Sequence, residues 1–407
     1  MREKVSIVQN RKRNQRNKII SLIFQETDVS RNDLRRKTSY SMTTITNTVS
    51  ELIEEGLIYE EESDISQVGR RPVWLRINPD GAYFIGVEFN ARALHICVLD
   101  LSGKTVFLRK QDIKYFIEAD EVIKLIVEHV EEAINFLKEK EKKIAGVGVG
   151  IPGYLDTEEG IAKSYNLFKN WENISVKEIL EKKVQKKVYV ENNVNNMVYA
   201  YKWLYREYAE QDFVFISMRT GIRMVPVIDE RVVIAKSGSF GELGHIKLGQ
   251  NNRICSCGDL GCLNAEISEI AIENRINEGI NLGRFTEIAK LAEEKSESVS
   301  IKHFIESVHA GDRDSLILVN DIINTLSKIV AIVVNIFAPR KIILYGNLVK
   351  LGSTFLEELQ AKARDSIVYF NKDIFKIEAA KGGDELGAIG AASRVMQKEF
   401  EFIKSRI

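Results

Sequence analysis

The first sixty positions carry apolar residues at helical spacing in three short runs. Ile19, Ile20, Leu22 and Ile23 form one face of a helix expected over residues 14–25. Ser30 reads as the N-cap of a second helix, with Asp33 three residues on as its reciprocal partner and Leu34 facing inward. Ser41 caps a third. Its apolar residues Ile45, Val49, Leu52 and Ile53 follow at intervals of 4, 3 and 1, one side of an amphipathic helix, and Gly56 ends it. Leu57-Ile58-Tyr59 and the stretch from Gly69-Arg70-Arg71-Pro72 to Ile77 form a hairpin pattern. The turn Asn78-Pro79-Asp80-Gly81 closes a first domain, residues 1–78. Three helices followed by a hairpin predict a winged helix-turn-helix.

Beyond residue 80 the period changes. Alternating runs at 83–89, 93–100 and 104–110 predict three strands, followed by a charged amphipathic helix at 119–140. A strand at 144–150, a helix at 176–183, a strand at 187–190 and a helix at 192–206 complete a βββαβα-like block. A second block repeats the order. Its strands lie at 213–217, 223–228 and 231–235, its long helix at 314–337 and its last strands at 341–345 and 375–379. The fold class is therefore α/β, and two such blocks suggest two lobes around a cleft. The domains are expected at 79–200, a smaller lobe completed by the C-terminal helix, and 201–407, a larger lobe.

Composition adds limits. Lys+Arg and Asp+Glu are both 58 of 407 residues, which excludes a globally basic nucleic-acid binder but not a basic patch. Residues 1–18 hold seven basic residues and one acid, while residues 41–80 hold three basic and eight acidic. No apolar run approaches a membrane span, the longest candidate, 329–338, being short and broken by Asn335, and the first residues show no signal-peptide core. A cytoplasmic protein without a membrane partner is expected. Four cysteines agree with that, but three of them fall between Cys255 and Cys262.

That cluster, Cys255-Ser256-Cys257-Gly258-Asp259-Leu260-Gly261-Cys262, crowds three soft ligands onto a glycine-rich turn. With His245 ten residues before it, the set suits a structural tetrahedral Zn2+ site; the alternative is redox thiols. Gly146–Gly150 lacks dinucleotide-fingerprint spacing and runs into Pro152-Gly153, a loop rather than a helix. Glu191-Asn192-Asn193-Val194-Asn195-Asn196 marks a strand end that starts a helix, where ligands gather in α/β folds. Carboxamides there suit a hydroxyl-rich ligand, beside the simpler reading of a helix cap. On the third helix, Ser41, Thr43, Thr44, Thr46 and Asn47 are small polar residues that suit base edges in a major groove. Arg70 and Arg71 suit phosphate or minor-groove contact. The aromatic run from Tyr199 to Tyr208 reads as helix packing.

Together these motifs resemble the ROK family of sugar-responsive repressors and sugar kinases, over nearly the whole chain. Thr38 to Leu57 looks like the family's helix-turn-helix and Gly69–Pro72 like its wing. Gly150-Ile151-Pro152-Gly153, Asn166-Leu167 with Trp171, Glu242-Leu243-Gly244-His245 and the cysteine cluster match ROK motifs in order. The resemblance implies a winged helix joined to a two-lobed, actin-like (ribonuclease H-like) sugar-kinase body. It also implies sugar contacts from Asn192, Glu242 and His245, with Gly153 lining the cleft. His245 would serve both sugar and zinc.

The departures fall on phosphoryl transfer. Kinase members carry a general-base Asp where this chain has Asn193, and an amide cannot accept that proton. Their first phosphate loop resembles Asp-x-Gly-Gly-Thr-Lys; here it reads Glu88-Phe89-Asn90-Ala91-Arg92-Ala93. In the second, Thr220-Gly221-Ile222 is followed by Arg223 instead of Gly. Asn264 replaces a sugar-contacting Glu, and Asn193 becomes a further sugar contact. Arg219 and Arg223 also allow a sugar-phosphate effector. The expectation is a non-enzymatic, sugar-released repressor bound to double-stranded operator DNA as a homodimer or dimer of dimers. The alternatives are an active ATP-dependent sugar kinase with an accessory DNA-binding domain, and a sugar sensor acting through protein contacts alone.

Overall fold

A computed structural model describes residues 2–26, 28–62, 73–114, 116–235, 240–248, 253–367 and 375–400. Their backbone clusters into two units. One holds 1–163, 170–209 and 383–407, the other 164–169 and 210–382.

The first unit begins with α1 (Arg2–Gln25), α2 (Arg31–Thr38) and α3 (Met42–Glu54). The first helix starts twelve residues earlier than its apolar face predicts, because its N-terminal half is polar. Ser30 and Asp33 form the expected reciprocal cap: Ser30 N donates to Asp33 Oδ2 at 2.9 Å and Asp33 N to Ser30 Oγ at 3.3 Å. The bond from Ser30 Oγ holds the Asp33 carboxyl below its usual range. Ser39, at φ +60°, turns the chain between α2 and α3. Ile19, Ile20, Leu34, Ile45, Val49 and Leu52 bury their side chains together as the core of this part. Strands β1 (Ile58–Glu62) and β2 (Val73–Ile77) pair antiparallel, with Ile58 opposite Ile77.

The body of the unit is a five-stranded sheet. Its strands are β3 (Tyr83–Phe89), β4 (Ala93–Asp100), β5 (Thr105–Asp112), β6 (Ile144–Ile151) and, after α4 (Ala119–Lys138), a small sheet of β7 (Tyr154–Asp156), β8 (Ile161–Ser164) and β9 (Glu172–Ile174), and α5 (Val176–Val184), β10 (Val188–Asn192). The order is β10-β6-β3-β4-β5, parallel from β10 to β3 and antiparallel from there on. Ile85, Val98 and Phe107 lie in one cross-strand row, and Phe107 meets Phe136 of α4 at 5.2 Å. So α4 covers that face. Gly86 points to the other, since strand side chains alternate.

There α6 (Asn193–Leu204) and the C-terminal helix lie. The second unit supplies β11 (Phe213–Met218), β12 (Ile222–Ile228), β13 (Arg231–Val232), α7 (Asn264–Ile267), α8 (Glu269–Asn281), α9 (Thr286–Glu294), α10 (Ile301–His309), α11 (Arg313–Phe337), β14 (Lys341–Tyr345), α12 (Ser353–Arg364) and β15 (Lys376–Ala379). Its sheet order, β13-β12-β11-β14-β15, repeats the first with the same parallel and antiparallel pattern. Helix α11 is long and apolar enough to cross a membrane by composition, which run length alone understated. Some 61% of that stretch is buried. Leu318, Ile322, Leu326, Ile329 and Val333 pack in the unit's core.

The chain then returns to the first unit as α13 (Leu386–Glu399). A Cβ on Gly86 would lie 2.0 Å from Ala388 O, and one on Gly148 2.1 Å from Ala391 O. The backbone of α13 therefore rests directly on β3 and β6. Replacing Gly86 by Ala forces helix and sheet apart. An expected loss of about 1–3 kcal/mol is checked by urea unfolding followed by far-UV circular dichroism.

Candidate functional site

On α3 the exposed residues are Thr43, Thr46, Asn47, Ser50 and Glu54, spaced 3, 1, 3 and 4. That is one stripe on the side away from Ile45 and Val49. Ser50 belongs to it and was not singled out from sequence. Ser41 and Thr44 are partly spent on the cap: Thr44 N donates to Ser41 Oγ at 3.1 Å, and the two hydroxyls lie 2.9 Å apart. Two basic residues of α1 form surface pairs with acids at the end of α3, Lys12 with Glu51 at 2.7 Å and Arg16 with Glu55 just past it. Arg70 and Arg71 lie outside the described residues.

In the second unit, one ligand atom from each of His245, Cys255, Cys257 and Cys262 lies within 4.8 Å of the others. The Cys257 and Cys262 sulfurs are 3.7 Å apart, and Cys255 Sγ is 3.9 Å from His245 Nδ1. Tetrahedral zinc with Zn–S bonds of about 2.3 Å sets sulfurs about 3.8 Å apart, so donor set and spacing both fit a metal. Backbone bonds shape the turn: Cys255 N donates to Asp259 O at 2.8 Å and Gly258 N to Cys255 O at 2.9 Å. Gly258 sits at φ +92°, where an L side chain is strained. Burial pushes the Cys262 thiol up to about 12, with the Cys257 thiol adding to the shift. A cation among the four reverses that sense, because the thiolate is the ligand form.

The asparagines at the end of β10 and the start of α6 are buried; Asn192, Asn193 and Asn195 are bonded within the protein, while the carboxamide of Asn196 makes no hydrogen bond. Asn192 caps α6, its Oδ1 accepting from Val194 N at 2.9 Å, while its Nδ2 donates to Gly153 O at 3.3 Å. Gly153 itself sits at φ +78°. Asn195 Nδ2 donates to Glu191 Oε1 at 2.9 Å. Asn193 Nδ2 donates to Glu88 Oε1 at 3.1 Å, and Glu88 is fully buried, with His95 Nδ1 3.6 Å from its other oxygen. The capping reading of this row therefore holds for Asn192. Tyr201 packs on Tyr205 and Tyr208 with centroids 4.9 and 4.8 Å apart, so the aromatic run is packing.

The second unit holds the other expected sugar residues. Arg223 Nη1 lies 3.1 Å from Glu242 Oε1, with Arg223 buried and Glu242 half-buried. A Cβ on Gly241 would sit 2.0 Å from Met224 O, so the Glu242 segment presses on β12. Asn264 Oδ1 accepts from Ile222 N at 2.9 Å, and a Cβ on Gly244 would fall 2.0 Å from that same oxygen. Arg219 lies over Tyr345, 5.7 Å from the ring centroid.

A model of the ROK family matches residues 84–398. The chain belongs to the ROK family. It is 27% identical to the xylose repressor of Caldicellulosiruptor bescii, across 94% of this chain and 96% of that one. It is also 27% identical to the glucokinase of Thermotoga maritima, but across 77% of this chain and 97% of that one. In fold it is similar to a ROK family transcriptional regulator, a homologue of the E. coli MLC protein. That crystal structure shows a TM-score of 0.79, 24% identity and coverage of 97% and 98%. The fold is thus the two-lobed, actin-like ROK body with N-terminal helices ahead of it.

Against the family's kinase pattern, each altered position has a definite occupant. Asn193 is bonded to Glu88. Asn90 closes the β3–β4 turn, its Oδ1 accepting from Arg92 N at 2.8 Å and Ala93 N at 3.2 Å. Arg223 is tied to Glu242, so it is not an open anchor for a sugar phosphate. Replacing Asn264 by Leu leaves Ile222 N without its acceptor. An expected destabilisation of about 1–3 kcal/mol is read from thermal melts; Asn264→Asp, which keeps an acceptor, costs less.

Proposed function

We propose that this ROK protein is a sugar-responsive transcriptional repressor that carries out no phosphoryl transfer. The observation that carries the reading is the bond between Asn193 and Glu88 at the position of the kinase base. An amide there takes no proton from a sugar hydroxyl, and its donor is already spent on a carboxylate. The match over 94% of the chain to a protein named a xylose repressor supports the reading, whereas the glucokinase matches 77%.

DNA is bound by the winged helix-turn-helix of residues 1–78. Thr43, Thr46 and Asn47 face base edges from the α3 stripe, Ser41 and Thr44 hold the start of that helix, and Arg70 and Arg71 contact phosphates. A homodimer places two such helices one helical turn apart on an operator in the cytoplasm. The residues that the family motifs offer to a sugar are Gly153, Asn192, Asn193, Glu242, His245 and Asn264. Glu242, fixed by Arg223, accepts from a hydroxyl. His245, Cys255, Cys257 and Cys262 hold a structural Zn2+. His245 turns Nδ1 toward Cys255, so a zinc ion held by these four residues would fix its tautomer and plane and leave Nε2 for a hydroxyl.

Three measurements bear on this. Labelled DNA from the protein's own promoter is followed by fluorescence anisotropy with D-xylose, D-glucose, N-acetyl-D-glucosamine and their phosphates. Tight, salt-dependent binding released by one neutral sugar is expected; absence of DNA binding at low salt sinks the repressor reading. Elemental analysis is expected to give one zinc per chain, lost in Cys257→Ser. Asn193→Asp is expected to leave ATP turnover at background. It sets a second carboxylate against buried Glu88, which costs about 1–3 kcal/mol in a urea melt. Turnover of any sugar by the unmodified protein would favour the kinase.

A further inference from the structure

Helix α6 begins at a residue of the proposed sugar site and ends against the DNA-binding part. Asn192 caps its start and bonds Gly153 O. Trp203, at its last turn, meets Phe24 of α1 with ring centroids 5.6 Å apart. The same indole closes over the β4–β5 turn, where a Cβ on Gly103 would lie 2.4 Å from the ring. Every residue of α6 except Leu204 is buried. Its side toward α13 is backbone on backbone: a Cβ on Gly390 would lie 1.7 Å from Asn196 O. That contact fixes the spacing of α6 from α13, so a displacement at the cap is passed on along the buried helix. Twelve residues span about 18 Å at a rise of about 1.5 Å each.

The three-helix part touches the body at a second place. Asn78 Nδ2 donates to Gly56 O at 2.8 Å, Leu101 N donates to Pro79 O at 3.0 Å, and a Cβ on Gly81 would lie 2.8 Å from Gly56 O. There is no room for movement there. A part fixed at one point and pushed at another turns about the first. From Phe24 the push reaches α3 directly, because α1 shares its core and carries the Lys12–Glu51 and Arg16–Glu55 pairs.

We infer that α6 is the rod that couples effector to operator, with Trp203 and Phe24 as its bearing against the DNA-binding part and the Asn78–Gly81 turn as the pivot. This rests on the repressor reading and states how its one site is regulated. Sugar on Asn192 shifts the cap of α6 relative to Gly153. The shift travels along the helix to Trp203, tilts α1 and changes the presentation of α3. Small axial slides of packed helices are an established way of switching between two arrangements.

The test uses the full-length protein and the promoter DNA. Operator affinity is measured with and without saturating D-xylose, D-glucose or N-acetyl-D-glucosamine, and sugar affinity with and without operator. The ratio of affinities is the coupling factor, and linkage requires it to be equal from both sides. For the unmodified protein it is expected on the order of 5- to 150-fold. In Trp203→Ala and in Phe24→Ala it is expected to fall to within about twofold of one, a near-complete loss on that scale. Operator affinity without sugar and sugar affinity without operator should each stay within about threefold, because neither residue touches either ligand. The double variant should lose no more than either single one, and Leu204→Ala, on the exposed side, should keep full coupling.

An undiminished factor in both alanine variants overturns the rod, as does an equal loss in Leu204→Ala. If circular dichroism shows that the alanine variants do not fold, Trp203→Phe and Phe24→Leu decide. A reduced factor supports the bearing and an unchanged one overturns it. Should the unmodified protein bind no promoter DNA, or respond to none of the three sugars, the repressor reading itself falls and the rod with it.

Discussion

A fully buried carboxylate must be satisfied by donors, since an isolated charge in the interior costs several kcal/mol or more. Glu88 is such a group, and Asn193 Nδ2 supplies a donor at 3.1 Å. The two residues depend on each other. With Asp at 193, two carboxylates would face each other in the core, and one would have to take a proton. With Gly or Asp at 88, the amide would lose its acceptor. Glu88 also fills the space over Gly387, where a Cβ would fall 2.3 Å from its Cγ. Glu88 thus joins β3 to the start of α6 by a hydrogen bond, where the family's kinases keep a catalytic base, and to the start of α13 by close packing. The loss of phosphoryl transfer follows from a rebuilt interior rather than from one missing group.

The same economy governs the surroundings. Gly86 and Gly148 let α13 lie on the sheet, and Gly390 lets α6 lie on α13. Three layers of backbone are therefore in near contact, with few side chains to absorb displacement between them. Packing of that kind transmits movement along its elements, because interiors are close-packed and compress little. Asn192, at the head of α6, is so placed that a ligand competing for its carboxamide also competes with the helix cap.

What could be read from the sequence was local. The 3.6 and 2.0 periods gave α2, α3 and the strands of both sheets, and cap chemistry gave Ser30, Asp33 and Ser41 in their observed roles. The gathering of His245 with three cysteines was readable because the cysteines fall within eight residues and the histidine lies ten before them. Pairings between distant segments left no such trace. Nothing near Arg223 announces Glu242, because what joins them is the close approach of Gly241 to Met224 O. Nothing near Phe24 announces Trp203. The early start of α1 was missed because a polar helix has no apolar face to show its period. Its side chains include Lys12 and Arg16, which α3 acids hold.

Those surface pairs also change the meaning of the charge asymmetry. Seven basic residues in the first eighteen suggest an electrostatic arm. Yet Lys12 and Arg16 stabilise the seat of α3, and Arg76 is held by Glu61 at 2.7 Å and Asp28 at 2.9 Å. Each pair removes a cation from the set that can release counterions from DNA, and non-specific affinity scales with that number. The exposed stripe of α3 carries no cation: two threonines, an asparagine, a serine and, at its end, Glu54. A chain with no net charge, some of its cations paired with acids and the exposed stripe of α3 without a cation, gains less from any stretch of phosphates. It depends more on hydroxyl and amide contacts to base edges. Contacts of that kind are short and directional, so a tilt of α1 and α3 that a charged patch would tolerate is enough to break them.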